Sequence, residues 1–253
     1  MSEQFVSSKL RFYLTETQPC PYIEGRIERK LFAPLVGPFA GAVNDTLSAN
    51  GFRRSQNVAY RPQCPGCNAC VATRIAVAQH EPSRRDRRIL KRNALLERAI
   101  KPALATDIHY ALFRKYVCGR HADGGMAEMD ALDFASMTED STVRTQIIEY
   151  WGRDEEGSEH LRAACISDVM ADGLSMVYSF FDPDFSSDSL GRFMVLDHVR
   201  LVKALGLPHL YLGYWIAESR KMSYKVDFSG VEVLRGGEWS DTPPPKSSTP
   251  TRA

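Results

Sequence analysis

The amino-terminal part of this chain is broken repeatedly by proline and glycine up to about residue 70. Eleven of these residues punctuate the stretch: Pro19, Pro21, Gly25, Pro34, Gly37, Pro38, Gly41, Gly51, Pro62, Pro65 and Gly66. This spacing predicts loops with short strands at most, and the apolar residues between them are too few to form an independent core. The region therefore needs an internal staple or a neighbouring domain.

Four of the six cysteines offer such a staple. They are Cys20 and the run Cys64, Cys67 and Cys70, in which two residues separate successive thiols. Thiols at this spacing can converge on a soft metal ion, and four thiolates suit either zinc or an iron–sulfur cluster. Free thiols or a redox pair are the alternatives, and no organic cofactor is indicated.

The charge of the chain is divided unevenly along its length. Residues 1–104 hold 17 Lys and Arg against 8 Asp and Glu, whereas the remainder holds 15 against 23. A basic half joined to an acidic half suggests that one part binds a polyanion, and an ordinary solvated surface is the alternative.

A short segment concentrates the positive charge. Between residues 84 and 92, six of nine residues are cationic: Arg84, Arg85, Arg87, Arg88, Lys91 and Arg92. Residues 83–100 are predicted to form one helix, so these side chains would cover a broad face able to neutralise several phosphates. Nucleic acid is the natural partner, a solubilising face is the alternative, and no motif for sequence-specific readout accompanies the segment.

The second half predicts a mixed α/β sheet. Residues 161–167 and 174–181 form two strand-like runs around a turn, a helix begins after Ser189, and a strand covers 209–215. A further helix is expected after residue 106, and an irregular acidic segment follows it. Strand, strand, helix and strand in this order favour a sheet covered by helices.

Three parts are expected: a basic, cysteine-containing domain over 1–104, a catalytic domain over 105–240 and a disordered tail over 241–253. No apolar run approaches the roughly 20 residues that cross a bilayer, and the first residues resemble no leader. We therefore expect a soluble cytoplasmic protein without a membrane partner. The oligomeric state is left open.

Motifs along most of the chain resemble a known family. They are Pro19-Cys20-Pro-Tyr22, Gly25-Arg26, Gly51-Phe52-Arg53-Arg54, Tyr60-Arg61-Pro62, the cysteine run, Pro82-Ser83, Arg87-Arg88, Asp172 to Asp184, Ser189-Leu-Gly-Arg192, Tyr211-Leu-Gly-Tyr-Trp-Ile216 and Lys221-Met-Ser-Tyr-Lys225. Together they resemble the arginyl- and leucyl-tRNA–protein transferases of the N-degron pathway. The bacterial branch, the aspartate/glutamate leucyltransferases, is the most similar.

The resemblance implies an acetyltransferase-like (GNAT-type) α/β domain beside a smaller cysteine-containing domain. The implied reaction moves an amino acid from aminoacyl-tRNA to the terminal amine of proteins that begin with Asp or Glu, which marks them for degradation. Leucyl-tRNA is favoured as donor, and arginyl-tRNA remains open because both branches share these motifs.

Several residues are candidates for roles in that reaction. Tyr178, Asp182 and Tyr214 are candidate proton acceptors or orienters, and Arg61 and Arg74 could read the acceptor carboxylate because a guanidinium matches its two oxygens. The candidates for donor binding are Ser189, Leu190, Gly191, Trp215, Lys221, Lys225, Arg84, Arg87, Arg88 and Lys91. Lys221 and Lys225 would share one face of a predicted helix, and backbone amides at residues 189–191 would face the donor.

Each role has a plainer alternative. The tyrosines and Trp215 could fill the core, Asp182 could belong to a turn, and either arginine could pair with a structural carboxylate. A coenzyme-A-dependent N-acetyltransferase is the competing enzyme, but residues 189–193 lack the glycine pair of a pyrophosphate loop. A non-enzymatic, metal-stabilised RNA-binding protein is the competing binding module.

Overall fold

Fourteen strands and five α-helices form the described part of the chain. The computed structural model describes residues 10–120, 125–219 and 221–241. The strands are β1 (Tyr13–Leu14), β2 (Gln18–Pro19), β3 (Ile27–Glu28), β4 (Lys30–Pro34), β5 (Arg53–Ser55), β6 (Val58–Pro62), β7 (Val71–Ala76), β8 (Glu97–Pro102), β9 (Thr145–Arg153), β10 (Glu159–Met170), β11 (Gly173–Phe181), β12 (His209–Trp215), β13 (Val231–Arg235) and β14 (Glu238–Ser240). The helices are α1 (Ala40–Ala49), α2 (Arg84–Arg92), α3 (Asp107–Arg120), α4 (Ala131–Glu139) and α5 (Leu190–Ala204).

An eight-stranded mixed sheet organises these elements. Its strand order is β14-β13-β7-β12-β11-β10-β9-β8, and a four-stranded sheet of order β1-β4-β6-β5 lies beside it. Neighbouring residues of β9 enter different apolar clusters: Ile147 packs with α3 and α4, whereas Ile148 packs with α2 and α5. Because side chains alternate between the faces of a strand, helices cover both faces of the large sheet. The mixed α/β architecture is confirmed.

The two sheets do not divide where the sequence predicted a domain boundary. β7 lies inside the large sheet and β8 forms its edge, although both precede residue 104, while the smaller sheet ends at Pro62. The large sheet thus takes strands from both predicted domains. Of the predicted tail, only Asp241 belongs to the described residues.

The predicted helix over residues 83–100 is wrong in its second half. Ser83 and Asp86 form a capping box at its start, but α2 ends at Arg92 and Asn93 caps it. Residues 97–102 instead form β8, which pairs antiparallel with β9. Pairing with that strand satisfies the backbone of β8, and this outweighs the apolar spacing that favoured a helix.

Of the other elements predicted from the sequence, some are confirmed and some are wrong. The turn expected at Asp172-Gly173 is present but lies at residues 171–172, because Gly173 already belongs to β11, and the helix that begins after Ser189 and the strand at 209–215 are confirmed. The amino-terminal strands are short as predicted, but α1 was missed. The acidic segment predicted as irregular contains α4, which Asp130 and Asp133 cap reciprocally. Within the described ranges, no helix is both long and apolar enough to cross a bilayer.

A buried ion pair joins the two sheets. Arg54 of β5 donates two hydrogen bonds of 2.7 Å to the two carboxylate oxygens of Asp168 on β10, and each side chain is only 1% exposed. The Thr145 hydroxyl donates to the same carboxylate at 2.8 Å, and Arg54 also donates to the Gln56 carbonyl at 2.7 Å. The pair is therefore almost fully hydrogen-bonded, as a buried ion pair must be.

We expect Arg54→Met to lower the free energy of unfolding by about 3–5 kcal/mol, because it leaves the Asp168 carboxylate buried without its cation. The double variant Arg54→Met/Asp168→Leu should recover much of that loss, since it removes both charges. Urea unfolding followed by circular dichroism measures both effects.

The control is Arg153→Met, which breaks the exposed Arg153–Glu159 pair. Exposed ion pairs contribute about 1 kcal/mol or less to the free energy of unfolding. Equal losses in Arg54→Met and Arg153→Met would contradict the role assigned to the buried pair.

Candidate active site

The central feature of the candidate site is a gap between β11 and β12. The two strands pair in parallel only over Gly173–Ser175 and His209–Tyr211, and they part beyond these residues. Each of the two strands also has a bulge against its other neighbour. Val177 is the extra residue of β11 in its pairing with β10, and Leu212 is the extra residue of β12 in its pairing with β7. Bulges of this kind redirect side chains and are frequent next to active sites.

Arg53 fills the narrow end of this gap. Its guanidinium donates to the Ser175 hydroxyl at 2.9 Å and to the Met176 carbonyl, both on β11. On the opposite strand, Gly213 has a φ of +87°, and a Cβ there would lie 3.1 Å from Nε of Arg53. Glycine thus permits both the backbone conformation and the close approach of the guanidinium.

Lys225 lies beside the other strand of the gap. It is 8% exposed, and its ammonium donates to the Tyr214 carbonyl at 2.9 Å. Burial, with a smaller effect from the Arg53 cation, lowers the pKa of Lys225 to about 7. The predicted helix that carries Lys221 and Lys225 is wrong: a 3-10 helix covers Ser223–Asp227, Lys221 is exposed before it, and the two lysines do not form a shared phosphate site.

Tyr214 ties the gap to the smaller sheet. Its hydroxyl donates to the carbonyls of Gly51 at 2.9 Å and Tyr60 at 3.0 Å, and burial raises its pKa well above the usual value. A hydroxyl engaged in this way keeps its proton at neutral pH, so a role as proton acceptor has no support in this geometry. Trp215, 2% exposed, donates to the Ser223 carbonyl at 3.2 Å and packs in the interior.

Two tyrosines, Tyr178 and Tyr116, lie near each other on β11 and α3, beyond the point where β11 parts from β12. Burial raises the pKa of Tyr178 on β11, and the nearby Tyr116 hydroxyl of α3 raises it further. The Tyr116 ring packs against Phe181 with a centroid distance of 4.9 Å. These phenols are protonated at neutral pH, so Tyr178 can donate a hydrogen bond or a proton.

Asp182 follows β11 directly and is held by a cation. Nζ of Lys115 on α3 lies 2.7 Å from Asp182 Oδ1 and 2.7 Å from Asp184 Oδ2. Hydrogen bonds to these two carboxylates raise the pKa of Lys115. Asp182 also accepts a hydrogen bond from the Asp184 amide at 3.0 Å and caps the 3-10 helix Pro183–Asp188. The turn expected at Asp182 is therefore present, and these contacts hold the Asp182 carboxylate in place.

The start of α5 closes the wide end of the gap. Ser189 has a φ of +56°, and Leu190 is 1% exposed in the core, so backbone rather than the Leu190 side chain faces a donor. At Gly191 a Cβ would lie 3.2 Å from the Phe181 ring. Glycine therefore lets α5 approach β11 closely.

The basic helix α2 is fixed against this region. Asp86 pairs with Arg192 of α5 at 2.6 Å, while Arg92 donates to the Ser187 carbonyl and Asn93 donates to the Asp188 carbonyl at 2.9 Å. Burial alone would raise the pKa of Asp86, but hydrogen bonds from Arg192 and Ser83 lower it. The six cations of α2 are all exposed, and none has an ion-pair partner in the described part of the chain.

The two candidate acceptor arginines differ in their surroundings. Arg61 is exposed on β6, with its guanidinium 5.0 Å from the centroid of the Phe52 ring. Arg74 pairs with Glu232 at 2.6 Å and stacks on Trp239 at 4.3 Å. The structure thus gives Arg74 an internal carboxylate partner, whereas Arg61 has none within the described ranges.

The four candidate metal ligands lie near one another. Burial raises the pKa of the Cys70 thiol to about 12, with further effects from Cys64, Cys20 and Cys67 in that order. Cys64, Cys67 and Cys70 line one pocket, and Arg26 donates to the Cys67 sulfur at 3.2 Å. The donor type suits a soft metal, yet no three His, Cys, Asp or Glu side chains of the described residues stand close enough together to hold an ion. The other two cysteines differ from each other, since Cys165 is buried and Cys118 is exposed.

Comparison with known proteins identifies the family. The family model for the amino-terminal part of the arginine-tRNA-protein transferases matches residues 18–88, and the model for their carboxy-terminal part matches residues 108–235. The chain belongs to this family.

Its curated relatives cover nearly the whole sequence. The aspartate/glutamate leucyltransferase of Dinoroseobacter shibae is 53% identical over 94% of this chain and 85% of that protein. The protein of the same name from Paracoccus denitrificans is 51% identical over 94% of this chain and 88% of its own length. Among solved structures, L-PGS from Bacillus licheniformis gives a TM-score of 0.44 at 9% identity over 58% of this chain and 46% of that chain, which does not establish a common fold.

Sequence reasoning missed several parts of this site. Neither Tyr116 nor Lys115, both on the helix expected after residue 106, was among the candidate site residues. Arg53 was noted only within a motif. The signal available for Arg53 was its place in the consecutive pair Arg53-Arg54, because adjacent side chains of a strand point to opposite faces.

Lys225 generates a prediction about pH. Its pKa of about 7 lies below the usual value near 10.4, so the unfolded chain binds more protons between these values. The resulting destabilisation is complete below about pH 7 and fades as the pH rises towards 10. The stability of the wild type relative to Lys225→Met should therefore increase between pH 7 and pH 9.5, as measured by urea unfolding. Lys221→Met, an exposed neighbour, should give a constant difference; the same constant difference for Lys225→Met would contradict the buried, destabilised ammonium.

Proposed function

We propose that this chain transfers leucine from leucyl-tRNA to the amino group of proteins that begin with Asp or Glu, marking them for the N-end rule pathway. One observation carries the proposal: relatives named aspartate/glutamate leucyltransferase are 50–53% identical to this chain over at least 90% of its length. The donor and acceptors are those in the relatives' printed name. Membership of the aminoacyl-tRNA–protein transferase family agrees with both.

The reaction requires no covalent nucleophile from the protein. The acceptor amine attacks the ester carbonyl of the aminoacyl-tRNA, a C–N bond forms and the C–O bond to the tRNA breaks. One proton leaves the amine and one reaches the departing 3′-terminal oxygen of the tRNA. Because the ester is already activated, the enzyme gains most by holding the two reactants together and by stabilising the developing oxyanion.

The gap between β11 and β12 supplies groups suited to these tasks. Tyr178 is a protonated phenol and can donate a hydrogen bond to the oxyanion, or a proton to the departing oxygen. The Ser189 amide already donates to the Ser186 carbonyl, but the backbone amides of Leu190 and Gly191 at the start of α5 can serve the same carbonyl or the tRNA terminus. Asp182, held by Lys115, is placed to orient the amine, whose ordinary pKa near 8 already leaves a neutral fraction. Arg53 and Tyr214 then act as supports that fix the walls of the gap.

The basic helix α2 supports a tRNA donor. Its exposed cations Arg84, Arg87, Arg88 and Lys91 have no ion-pair partner among the described residues, so counterions that they hold are released when phosphates replace them. The contacts of α2 with residues 187–188 and with α5 place this surface next to the gap.

Acceptor selection is assigned to Arg61 rather than to Arg74. A guanidinium that already pairs with Glu232 gains little from a second carboxylate, whereas Arg61 is exposed and unpaired among the described residues. A planar guanidinium over an aromatic ring is a preorganised reader of a carboxylate.

We also propose the finer fold class, an acetyltransferase-like (GNAT-type) domain, and a cytoplasmic location where aminoacyl-tRNA is present. The mixed sheet with helices on both faces, and its parallel pair that parts at the gap, support the fold class.

A parallel transfer assay tests the function. Radiolabelled leucyl-tRNA and arginyl-tRNA are each supplied with peptides that begin with Asp or with Asn, and peptide-bound label is counted. We expect label only from leucyl-tRNA and only on the Asp peptide, with Arg61→Ala losing the preference for Asp while tRNA affinity stays unchanged. Transfer from arginyl-tRNA, or no transfer from either donor, would refute the proposal.

We propose that the four cysteines Cys20, Cys64, Cys67 and Cys70 bind zinc or an iron–sulfur cluster. Their half-buried thiols surround one loop in a region with a small core, and a metal would stabilise that loop. Binding requires the thiols to come closer together than they stand here, and no step of the reaction depends on it.

Elemental analysis of anaerobically purified protein tests this site. Wild type and Cys118→Ser, which changes an exposed cysteine on α3, should retain equal amounts of zinc or iron, whereas Cys64→Ser and Cys70→Ser should each lose it and unfold at lower urea concentration. A metal-free wild type, or variants with unchanged metal content, would rule the site out.

A further inference from the structure

A cleft separates the basic helix α2 from α5. It has a volume of about 400 Å³. Its floor is apolar, formed by Leu90, Leu96 and Phe193, and cations stand around it: Arg87 and Lys91 from α2 and Arg200 from α5. Arg200 belongs to none of the motifs singled out in the sequence.

The charge of the cleft is not balanced by the protein. Its one acidic residue, Asp197, already receives the Arg98 guanidinium at 2.8 Å and the Tyr150 hydroxyl at 3.0 Å. The three cations are exposed and have no ion-pair partner within the described ranges. Three like charges around one cavity repel one another unless an anion joins them.

The apolar floor of the cleft limits which class of anion fits there. Leu90 and Phe193 are buried core residues, so the cleft rests on the main apolar cluster rather than on polar loops. A paired nucleic acid presents phosphates outside and keeps its bases stacked inside, and it would leave this floor uncovered. An unpaired nucleotide offers both a phosphate for the cations and a base face for the apolar surface.

The position of the cleft agrees with such an occupant. α5 begins at the gap between β11 and β12, and Arg200 lies ten residues further along the same helix, about 15 Å away at 1.5 Å per residue. Helix α2 carries the other two cations. Its carboxy-terminal end is hydrogen-bonded to the carbonyls of residues 187–188, just before α5. A strand of RNA that ends in the gap can therefore run along α5 through the cleft to the exposed cations of α2.

We propose that this cleft binds a nucleotide of the unpaired 3′ end of the donor tRNA, with Arg200, Arg87 and Lys91 on its phosphate and the base over Leu90 and Phe193. The inference rests on the proposed function, since it assigns a binding site to part of the same donor tRNA. Arg200 becomes a donor-binding residue.

Equilibrium binding of two RNAs tests the proposal without measuring transfer. The first is uncharged leucine tRNA, and the second is the same tRNA trimmed of its unpaired 3′ nucleotides. We expect Arg200→Gln to weaken binding of the whole tRNA several-fold and to reduce its salt slope by about one, because one phosphate contact is lost. For the trimmed tRNA, Arg200→Gln and wild type should bind equally. The control Arg153→Gln removes an exposed arginine of β9 and should match wild type with both RNAs.

Two results would overturn this assignment while leaving the proposed function intact: unchanged affinity of Arg200→Gln for the whole tRNA, or an equal loss with both RNAs, which places the arginine on the paired stem. Failure of the wild type to bind either RNA would overturn the cleft and the proposed function together.

Discussion

The buried pair between Arg54 and Asp168 is the contact on which the arrangement of the two sheets depends. Ionised groups out of water are costly unless their hydrogen bonds are nearly all satisfied, and here the guanidinium, the carboxylate and Thr145 satisfy one another. Such a network tolerates little displacement. It therefore sets where β5 stands against the large sheet, and with it the position of the next arginine along the strand.

Arg53 uses that fixed position to enter the gap. One residue earlier in an extended strand points the opposite way, so anchoring Arg54 directs Arg53 between β11 and β12. There it satisfies the Met176 carbonyl, which the parting of the strands leaves without a ladder partner, while Lys225 does the same for the Tyr214 carbonyl. Cationic side chains thus replace strand pairing on both sides. The Met176 and Tyr214 carbonyls therefore keep hydrogen-bond partners although the two strands part.

The sequence was informative where the signal was local. The strand at 209–215 directly follows Pro208, and α5 carries apolar residues at helical spacing with Gly206 just after its end. Local signals failed where distant pairing decided the outcome. Residues 97–102 became a strand because β9 lies beside them, and Lys225 left the surface because β12 offers a carbonyl within the interior.

The candidate site shows the same limit. The sequence placed Tyr178, Asp182 and residues 189–191 in one region because they are close in the chain. Tyr116, Lys115, Arg53 and Arg200 come from other elements, and only the fold brings them to the gap and the neighbouring cleft. The sequence left open whether Arg74 pairs with a structural carboxylate, because its partner Glu232 lies on β13, a strand that was not predicted.

The central claim is that the acceptor amine meets the aminoacyl ester in the gap between β11 and β12. A crystal structure with a non-reactive donor, leucine linked by an amide to a 3′-amino-adenosine, tests this directly. The account predicts the leucyl carbonyl within hydrogen-bond distance of the Tyr178 hydroxyl, with the adenosine at the start of α5. A leucyl carbonyl bound away from the gap, for example against the cysteine-lined pocket, would contradict it.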